Sequence, residues 1–341
     1  MSLKNLNVIK TPEKLFFKLS NRKIISLFKE FENNFKINES FAVAVSGGPD
    51  SLALAFLTRV FSIKYNLKSK YFIVDHKLRK ESTQEAKKVK KILNKYGIKL
   101  EILSWIGKKP VSNIQSKSRK KRYDLLFSKC KSLKISNLII GHHQDDLFEN
   151  FFIRMIRGSG LKGLTSLEKK ITINNINLIR PLLNFEKKNL EYISRQVFNF
   201  YVKDPSNENE NFKRIKIRKI INEFKKSGLE KDKFHLTLKN LKSSNNSLKF
   251  YTEQNKKSNM HFDKKNNILF LNEIFFEQPY EVVFRSFSDS LKMIGGRYFS
   301  ARGKKIDNIL QMIKNDALKK TTLASCIVKK VNQTVIISKE Y

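Results

Sequence analysis

The sequence is poor in cysteine, in acidic residues and in long apolar runs, and each shortage excludes a class of protein. Its 341 residues include only two cysteines, Cys130 and Cys326, with no CxxC pair. This excludes a disulfide scaffold and a paired-cysteine metal site, and isolated thiols fit a reducing compartment. Since no run of about 18 apolar residues occurs and the chain does not begin with a signal-peptide pattern, we expect a cytoplasmic protein without a membrane span.

Basic residues far outnumber acidic ones: 69 Lys and Arg against 31 Asp and Glu, for a formal net charge of +38. A chain this basic repels itself unless a polyanion neutralises it. The basic residues are spread along most of the chain, which predicts a large RNA or DNA footprint. A membrane surface is the second candidate partner.

Short apolar runs alternate with helical patterns over the first half of the chain, which is typical of βαβ units. We therefore predict an α/β domain over residues 1–226, a parallel sheet with helices on both faces. Residues 227–341 are predicted to form a smaller, mostly helical domain that ends in a β-hairpin of Thr321–Val328 and Thr334–Ser338. The boundary is predicted near Ser227 and Gly228.

The predicted strand Phe41–Val45 runs into SGGPDS, residues 46–51, and then into a helix. In such a loop the backbone N–H groups and the helix N-terminus point at one spot, which binds anions, and Ser46 and Ser51 add hydroxyl groups. Asp50 would repel a phosphate unless a divalent cation lies between them, so we predict that Asp50 binds Mg²⁺. The loop differs from a P-loop because no Gly-Lys-Ser/Thr follows. The alternative is a glycine turn before a capped helix.

Two further polar stretches follow predicted strands. Asp75 and His76 end one strand, where a carboxylate commonly accepts hydrogen bonds from a nucleotide, or else only caps the next turn. HHQDD at 142–146 follows another strand and could supply a metal site or an acid–base pair, while one Asp could instead cap a helix. Zinc is the weaker interpretation because the chain offers no Cys/His partner set. Since the carboxyl ends of parallel strands meet at one edge, we predict that these stretches join loop 46–51 in one site.

Basic clusters are the remaining candidates. Arg119 and Arg122 share one face of a predicted helix and suit an oxyanion or phosphate clamp, against the alternative of a solvated face. The glycine-rich loop 157–163 follows a helix, so it is not a dinucleotide-binding motif, and we expect it to approach a substrate closely. The residues predicted to contact an RNA are Arg157, Lys162, Arg214, Arg218, Arg297 and Arg302.

Together these motifs resemble those of the tRNA(Ile)-lysidine synthetases, a family of N-type ATP pyrophosphatases with a PP-loop. The resemblance spans nearly the whole chain. The matching segments are SGGPDS at 46–51, VDHKLR at 74–79, SRKKRY at 118–123, GHHQDD at 141–146, RGSGLKGL at 157–164, RPLL at 180–183 and DPSN at 204–207. Gly141 departs from the family pattern, where Ala is more usual.

The resemblance implies an adenine nucleotide alpha-hydrolase-like fold and a ligase that uses ATP and Mg²⁺. It implies that ATP adenylates the wobble cytidine of a tRNA(Ile) with a CAU anticodon, and that free lysine then attacks C2. Asp145 or Asp146 is predicted to bind or deprotonate the lysine amine. The predicted catalytic residues are Asp50, Asp145, Asp146 and His142. The predicted ATP-binding residues are Ser46, Gly47, Gly48, Pro49, Asp50, Ser51, Asp75 and His76. Arg119 and Arg122 are predicted to clamp lysine or phosphate.

Two rival functions are open from the sequence. A tRNA thiolase uses a similar loop but needs cysteines in a paired spacing that this chain lacks. A non-catalytic RNA-binding protein would use ATP only as a ligand, and pyrophosphate release would distinguish it. The oligomeric state is open between a monomer and a homodimer.

Overall fold

The computed structural model describes residues 13–79, 81–108, 110–202, 213–296 and 301–340. The chain divides after Leu229 into two compact units, whereas the sequence places the boundary between residues 226 and 227. Each unit contains its own sheet. Among the described residues, no helix combines the length and the apolarity that a membrane crossing requires.

The first unit alternates strands and helices, as the sequence predicts. Its strands are Phe41–Val45 (β1), Ser69–Asp75 (β2), Leu100–Ser104 (β3), Asn137–Ile139 (β4), Lys170–Ile173 (β5) and Ile176–Ile179 (β6). Its helices are Glu13–Phe17 (α1), Arg22–Asn34 (α2), Pro49–Lys64 (α3), Ser82–Asn94 (α4), Ile114–Ser132 (α5), Gln144–Ile156 (α6), Leu161–Leu164 (α7), Lys187–Phe198 (α8) and Lys213–Lys226 (α9).

The strands form a six-stranded sheet in the order β3-β2-β1-β4-β6-β5. All pairs are parallel except β5 with β6. The chain builds outward from β1 through β2 to β3 and then crosses back to β4 on the other side of β1. Ligands of such sheets bind outside the carboxyl ends of the strands at this switch point, which here lies between β1 and β4.

Both faces of this sheet are covered, so the predicted fold class is confirmed. Phe41, Val43 and Val45 pack into one core with α2, α3, α4 and α8, and Ala42 packs into a second core with α5. This alternation follows from the period of two along a strand. The alternating pattern is recognisable in the sequence only over the first half of the chain, but β6 extends the parallel sheet by pairing with β4.

The second unit carries more strands than the sequence predicts. Its helices are Lys231–Asn259 (α10), Tyr280–Gly295 (α11) and Gly303–Lys314 (α12), and its strands are Met260–Asp263 (β7), Ile268–Leu271 (β8), Lys320–Leu323 (β9), Cys326–Val331 (β10) and Thr334–Lys339 (β11). The predicted hairpin is present as β10 and β11 within a five-stranded antiparallel sheet. The expected strand 321–328 is interrupted because Ala324 and Ser325 adopt left-handed φ values of 59° and 61°.

Candidate active site

The loop between β1 and α3 is held in shape by one buried hydroxyl. Ser51 Oγ accepts hydrogen bonds from the backbone N–H groups of Ser46 and Gly47, at 3.0 and 3.1 Å, and donates to the carbonyl of Gly48 at 2.9 Å. Ser51 therefore shapes the loop. The N–H groups of the first turn of α3 have no partner within the helix, so this end is suited to bind an anion.

The two glycines of this loop have different physical roles. Gly47 has φ +87°, and a Cβ there would lie 2.9 Å from Val89 Cγ2 and 3.1 Å from Val202 Cγ2. Gly48 caps α3 with φ −71°, a conformation open to any residue, and a Cβ there would come no closer than 3.7 Å to Ser46 Oγ. Gly47 is thus required by the fold, while Gly48 keeps the surface of the loop clear.

The loop that follows β4 lies directly against the loop of β1. A Cβ on Gly141 would stand 3.4 Å from the carbonyl oxygen of Asp50. Nε2 of His143 lies 3.6 Å from Asp50 Oδ2 and 3.7 Å from Asp146 Oδ2. The fold therefore brings together residues of both predicted loops at the switch point of the sheet.

Asp50 is a partly buried carboxylate of this cluster. Burial raises the pKa of its carboxyl above the ordinary value; His143 opposes this shift, and the charge of Asp146 adds to it. Asp50 Oδ1 is buried and has no hydrogen-bond partner among the described residues. A buried carboxylate oxygen without a partner costs free energy unless a cation or a donor reaches it.

The histidine that faces Asp50 is His143, whereas the sequence predicts His142 as the catalytic histidine. His143 is the N-cap of α6: its Nδ1 accepts the N–H of Asp145 at 3.2 Å, and its own N–H donates to Asp146 Oδ2 at 2.9 Å. Since Nδ1 is an acceptor, a neutral ring carries its proton on Nε2, toward the two carboxylates. This cap also explains why α6 begins at Gln144.

His142, the predicted catalytic histidine, lies beside a buried arginine at the end of β6. Arg180 Nε donates to His142 Nδ1 at 3.3 Å, and Arg180 Nη1 donates to the carbonyl of Glu168 at 2.6 Å. Burial lowers the pKa of the Arg180 guanidinium, and the charge of Arg119 lowers it further. Arg119 itself lies over the ring of Tyr123, with 5.3 Å from Cζ to the ring centroid. In the sequence, Arg180 is marked only by its place in the segment RPLL, which gives no sign that its side chain is buried.

Asp75 is engaged by its own loop. Its Oδ1 accepts from the Lys77 N–H and from Ser82 Oγ, both at 2.9 Å, and its Oδ2 accepts from Thr83 Oγ1 at 2.6 Å. Burial raises its pKa, but these hydrogen bonds outweigh burial and hold the pKa below its ordinary value. The geometry favours the capping interpretation of Asp75 over a nucleotide contact. The neighbouring His76 ring lies 6.0 Å from that of Trp105.

The residues predicted to contact RNA lie in different surroundings. Arg218 donates to Glu149 Oε1 at 2.5 Å, and Glu149 is buried, so this ion pair joins α9 to α6 rather than standing free for RNA. Arg157 and Lys162 are exposed in the glycine-rich loop, and Arg302 is exposed at the start of α12. Arg122, which belongs to the predicted lysine or phosphate clamp and not to this group, is half-buried on α5. The side chain of Arg214 and the whole of Arg297 lie outside the described residues.

The carboxylate oxygens near Asp50 are ligands that suit a hard cation such as Mg²⁺ better than a soft one. Among the described residues, no group of three or more His, Cys, Asp and Glu side chains is placed to hold a metal ion. Mg²⁺ is usually bound by one or two carboxylates together with substrate phosphates. The unpartnered, buried Oδ1 of Asp50 therefore fits a Mg²⁺ ion carried in by a nucleotide.

Neither cysteine belongs to this site. Cys130 lies on the buried face of α5, and Cys326 lies in the core of the second unit. Burial raises the pKa of the Cys130 thiol to about 11. Since the thiolate is the reactive form, these positions do not supply a sulfur-transfer pair.

Comparison with known proteins agrees with the fold and the motifs. The PP-loop domain family matches residues 19–224. The tRNA(Ile)-lysidine synthase of Orientia tsutsugamushi is 41% identical over 55% of this chain and 42% of its own length. That of the Wolbachia symbiont of Brugia malayi is 31% identical over 92% of this chain and 74% of its own length.

A solved relative extends the comparison to three dimensions. The U34-tRNA thiolase of Methanococcus maripaludis superposes with a TM-score of 0.56 at 20% identity, covering 65% of this chain and 79% of the thiolase. At that identity the likeness concerns the fold alone. The resemblance seen in the motifs is confirmed: the chain contains an ATP-utilising PP-loop domain and belongs to the tRNA(Ile)-lysidine synthase, or synthetase, family of tRNA-modifying ligases.

Proposed function

We propose that this protein joins free lysine to C2 of the wobble cytidine of a tRNA(Ile) with a CAU anticodon, in an ATP-dependent reaction through an adenylated tRNA. One observation supports this proposal above all: the N-terminus of α3 and the carboxylates of α6 lie next to each other at the switch point between β1 and β4. The 3.6 Å distance between His143 Nε2 and Asp50 Oδ2 shows how close they are. An anion site beside acidic groups suits a reaction between a nucleotide and an amine.

ATP is held by the loop 46–51 in this proposal. The N–H groups at the start of α3 face the phosphates, and Gly48 leaves room for their close approach. Asp50 would hold a Mg²⁺ ion through its unpartnered Oδ1. When bound, that ion would neutralise the phosphate charge and assist departure of pyrophosphate. Asp75 contributes by fixing the loop after β2.

The lysine amine must lose a proton before it can attack. An unperturbed lysine is protonated at neutral pH, with a pKa of about 10.4. Asp145 and Asp146 lie in the first turn of α6, on the same sheet edge as Asp50. A carboxylate there can hold the ammonium group and accept its proton as the amine attacks C2 and the C2–O bond breaks to release AMP.

The second unit is proposed to bind the tRNA body, as the predicted C-terminal tRNA-binding domain. The net charge of +38 favours binding to a polyanion, and Arg302 is an exposed cation in this unit. Substitution Arg302→Glu should weaken tRNA binding while ATP binding is unchanged. Equal tRNA affinity of variant and wild type would contradict this assignment.

The chemistry can be tested at Asp146. The Asp146→Asn variant keeps an oxygen that can accept the His143 N–H and so preserves the cap of α6. We expect lysine incorporation to fall by about 10²- to 10⁴-fold, the usual contribution of acid–base catalysis. Asp124→Asn, on the exposed surface of α5, is the matched control. Full incorporation by both Asp146→Asn and Asp145→Asn would remove the carboxylates from the mechanism.

A further inference from the structure

The sheet of the second unit has one covered face and one open face. On the covered face, side chains of β8, β10 and β11 pack with α11 and α12 into the core of the unit. The helix α10 packs against α11, where Asn255 Nδ2 donates to Ser286 Oγ at 3.3 Å. Because successive side chains along a strand point to opposite faces, the residues between the core positions lie on the open face. None of the described side chains on the open face is buried.

The register of the five strands places one row of side chains across the open face. Each member of the row lies directly opposite the next one. In the strand order β7-β8-β11-β10-β9, the row consists of His261, Phe270, Ile336, Lys329 and Lys320. The histidine and the two lysines are exposed, and Phe270 and Ile336 are half-buried. The row therefore leads from two rings through an aliphatic side chain to two cations.

The ring end of the row presents apolar surface outside the core of the unit. The rings of His261 and Phe270 are tilted by 40°, with their centroids 6.3 Å apart. The core on the covered face is built from the alternate residues of the same strand, Leu269 and Leu271. Aromatic side chains on an open sheet face are a platform on which the bases of unpaired nucleotides stack.

The basic end of the row places two like charges opposite each other. Lys329 is paired in register with Lys320, and directly opposed like charges destabilise a sheet. By contrast, Lys330 on the covered face pairs with Asp316 Oδ1 at 2.7 Å. Within the described part of the chain, neither lysine of the row has such a carboxylate partner. An anion bound between the two ammonium groups would relieve their repulsion.

Protection of a sheet edge does not account for both lysines. A lysine on an edge strand discourages the addition of a further strand, and Lys320 lies on the edge strand β9. Lys329 lies on β10, which has β9 on one side and β11 on the other. Its charge is therefore left to a ligand of the open face.

The spacing of the row favours unpaired nucleotides over a double helix. With strands about 4.8 Å apart, Lys329 lies roughly 10 Å along the row from Phe270, and its flexible stem shortens this distance. A phosphate at the lysines can thus belong to the same short stretch of chain as a base on the ring. In a duplex the base faces are hidden in the stack, so only unpaired bases can meet Phe270.

We propose that the open face of the second unit binds unpaired nucleotides of the RNA substrate. A base stacks on Phe270 beside His261, and Lys329 and Lys320 hold the phosphate chain. This inference rests on the proposed function, which identifies the RNA as a tRNA. It adds a base-stacking contact to the phosphate contact assigned to Arg302.

The test measures binding of the full chain to two RNA probes by fluorescence anisotropy. One probe is a labelled single-stranded oligonucleotide of mixed sequence, and the other is the same oligonucleotide annealed to its complement. Phe270→Leu keeps an apolar side chain but removes the ring, so it should weaken binding of the single strand about 5- to 150-fold, the loss of one stacked base. Binding of the duplex should stay within about two-fold. Phe250→Leu, which removes an exposed ring from α10, is the matched control and should bind both probes as wild type does.

Lys329→Gln is the second variant, since an exposed side chain can be changed with little effect on folding. It should reduce the slope of log affinity against log salt concentration by about 0.7 for the single strand, the value for one phosphate contact. Lys249→Gln, an exposed change on α10, should leave the slope unchanged. Thermal unfolding checks that the variants fold; if Phe270→Leu does not, Lys329→Gln decides alone.

The outcomes separate the open face from the proposed reaction. Unchanged affinity of Phe270→Leu for the single strand, or an unchanged salt slope for Lys329→Gln, would overturn the binding face. Equal weakening of single strand and duplex by Phe270→Leu would assign the face to a helical backbone and overturn it as well. The oligonucleotide assay does not involve lysine transfer. A wild-type protein that transfers no lysine to tRNA but shows the predicted losses would therefore overturn the proposed function alone.

Discussion

Alanine substitutions at Gly47 and Gly48 distinguish the contribution of the loop 46–51 to stability from its contribution to ligand binding. Gly47→Ala should mainly lower stability, and Gly48→Ala should mainly lower activity. In Gly47→Ala the residue must keep φ +87°, which costs about 1–2 kcal/mol for a residue with a Cβ. The overlap with Val89 and Val202, at 2.9 and 3.1 Å, adds about 1–3 kcal/mol. At about 2–4 °C for each kcal/mol, the sum of about 2–5 kcal/mol predicts a Tm lower by roughly 4–20 °C.

Gly48→Ala should fold normally but lose activity. Its backbone is already extended, with ψ 164°, so stability should change by no more than about 1 kcal/mol. A methyl group facing the phosphates should remove one charge-assisted hydrogen bond and reduce tRNA-dependent pyrophosphate release by about 10- to 150-fold. Differential scanning fluorimetry and a pyrophosphate assay measure the two effects. Full pyrophosphate release by Gly48→Ala, or an undiminished Tm for Gly47→Ala, would refute the reasoning.

Three further predictions concern buried or partly buried carboxylates. Because the pKa of Asp50 is raised, its ionised form destabilises the fold above that pKa; Asp50→Asn should raise the Tm at pH 7.5, with a gain that shrinks on acidification, and should abolish pyrophosphate release. Because the pKa of Asp75 is lowered, its stabilisation is complete above the unfolded-state pKa of about 3.9 and is lost as pH falls through the folded value. The urea midpoint difference between wild type and Asp75→Asn should therefore shrink below about pH 4. Arg218→Ala should cost about 3–5 kcal/mol in urea unfolding by leaving Glu149 buried and uncompensated, and adding Glu149→Gln should restore much of it; an unchanged midpoint would contradict the ion pair.

The parts of the fold that follow from local patterns are those that the sequence predicts well. The strand Phe41–Val45 is apolar and the loop after it is marked by two glycines, so strand, loop and helix are recognisable without a partner. The second unit is harder, because strands β7 and β8 have only four residues each and gain their stability from a sheet assembled across the whole unit. Such pairing is a long-range property that no window of sequence displays.

In the candidate site, too, some features follow from the local sequence and others depend on the assembled fold. The sequence predicts that loops 46–51 and 142–146 meet, because parallel strands end at one edge. It cannot tell which of two adjacent histidines faces Asp50, since this depends on His143 capping α6. It also cannot show that Arg180 is buried, because that burial depends on β6 joining β4. Cap geometry and strand order, rather than residue type, decide these cases.

The central claim is tested most directly by lysine transfer to tRNA. Purified protein, ATP, Mg²⁺ and radiolabelled lysine are mixed with a tRNA(Ile) transcript that carries a CAU anticodon, and a methionine tRNA with the same anticodon is the control. We predict that lysine is incorporated into the isoleucine tRNA alone. Pyrophosphate release without lysine incorporation would contradict the choice of nucleophile, and the absence of both signals from folded protein would favour a non-catalytic RNA-binding protein.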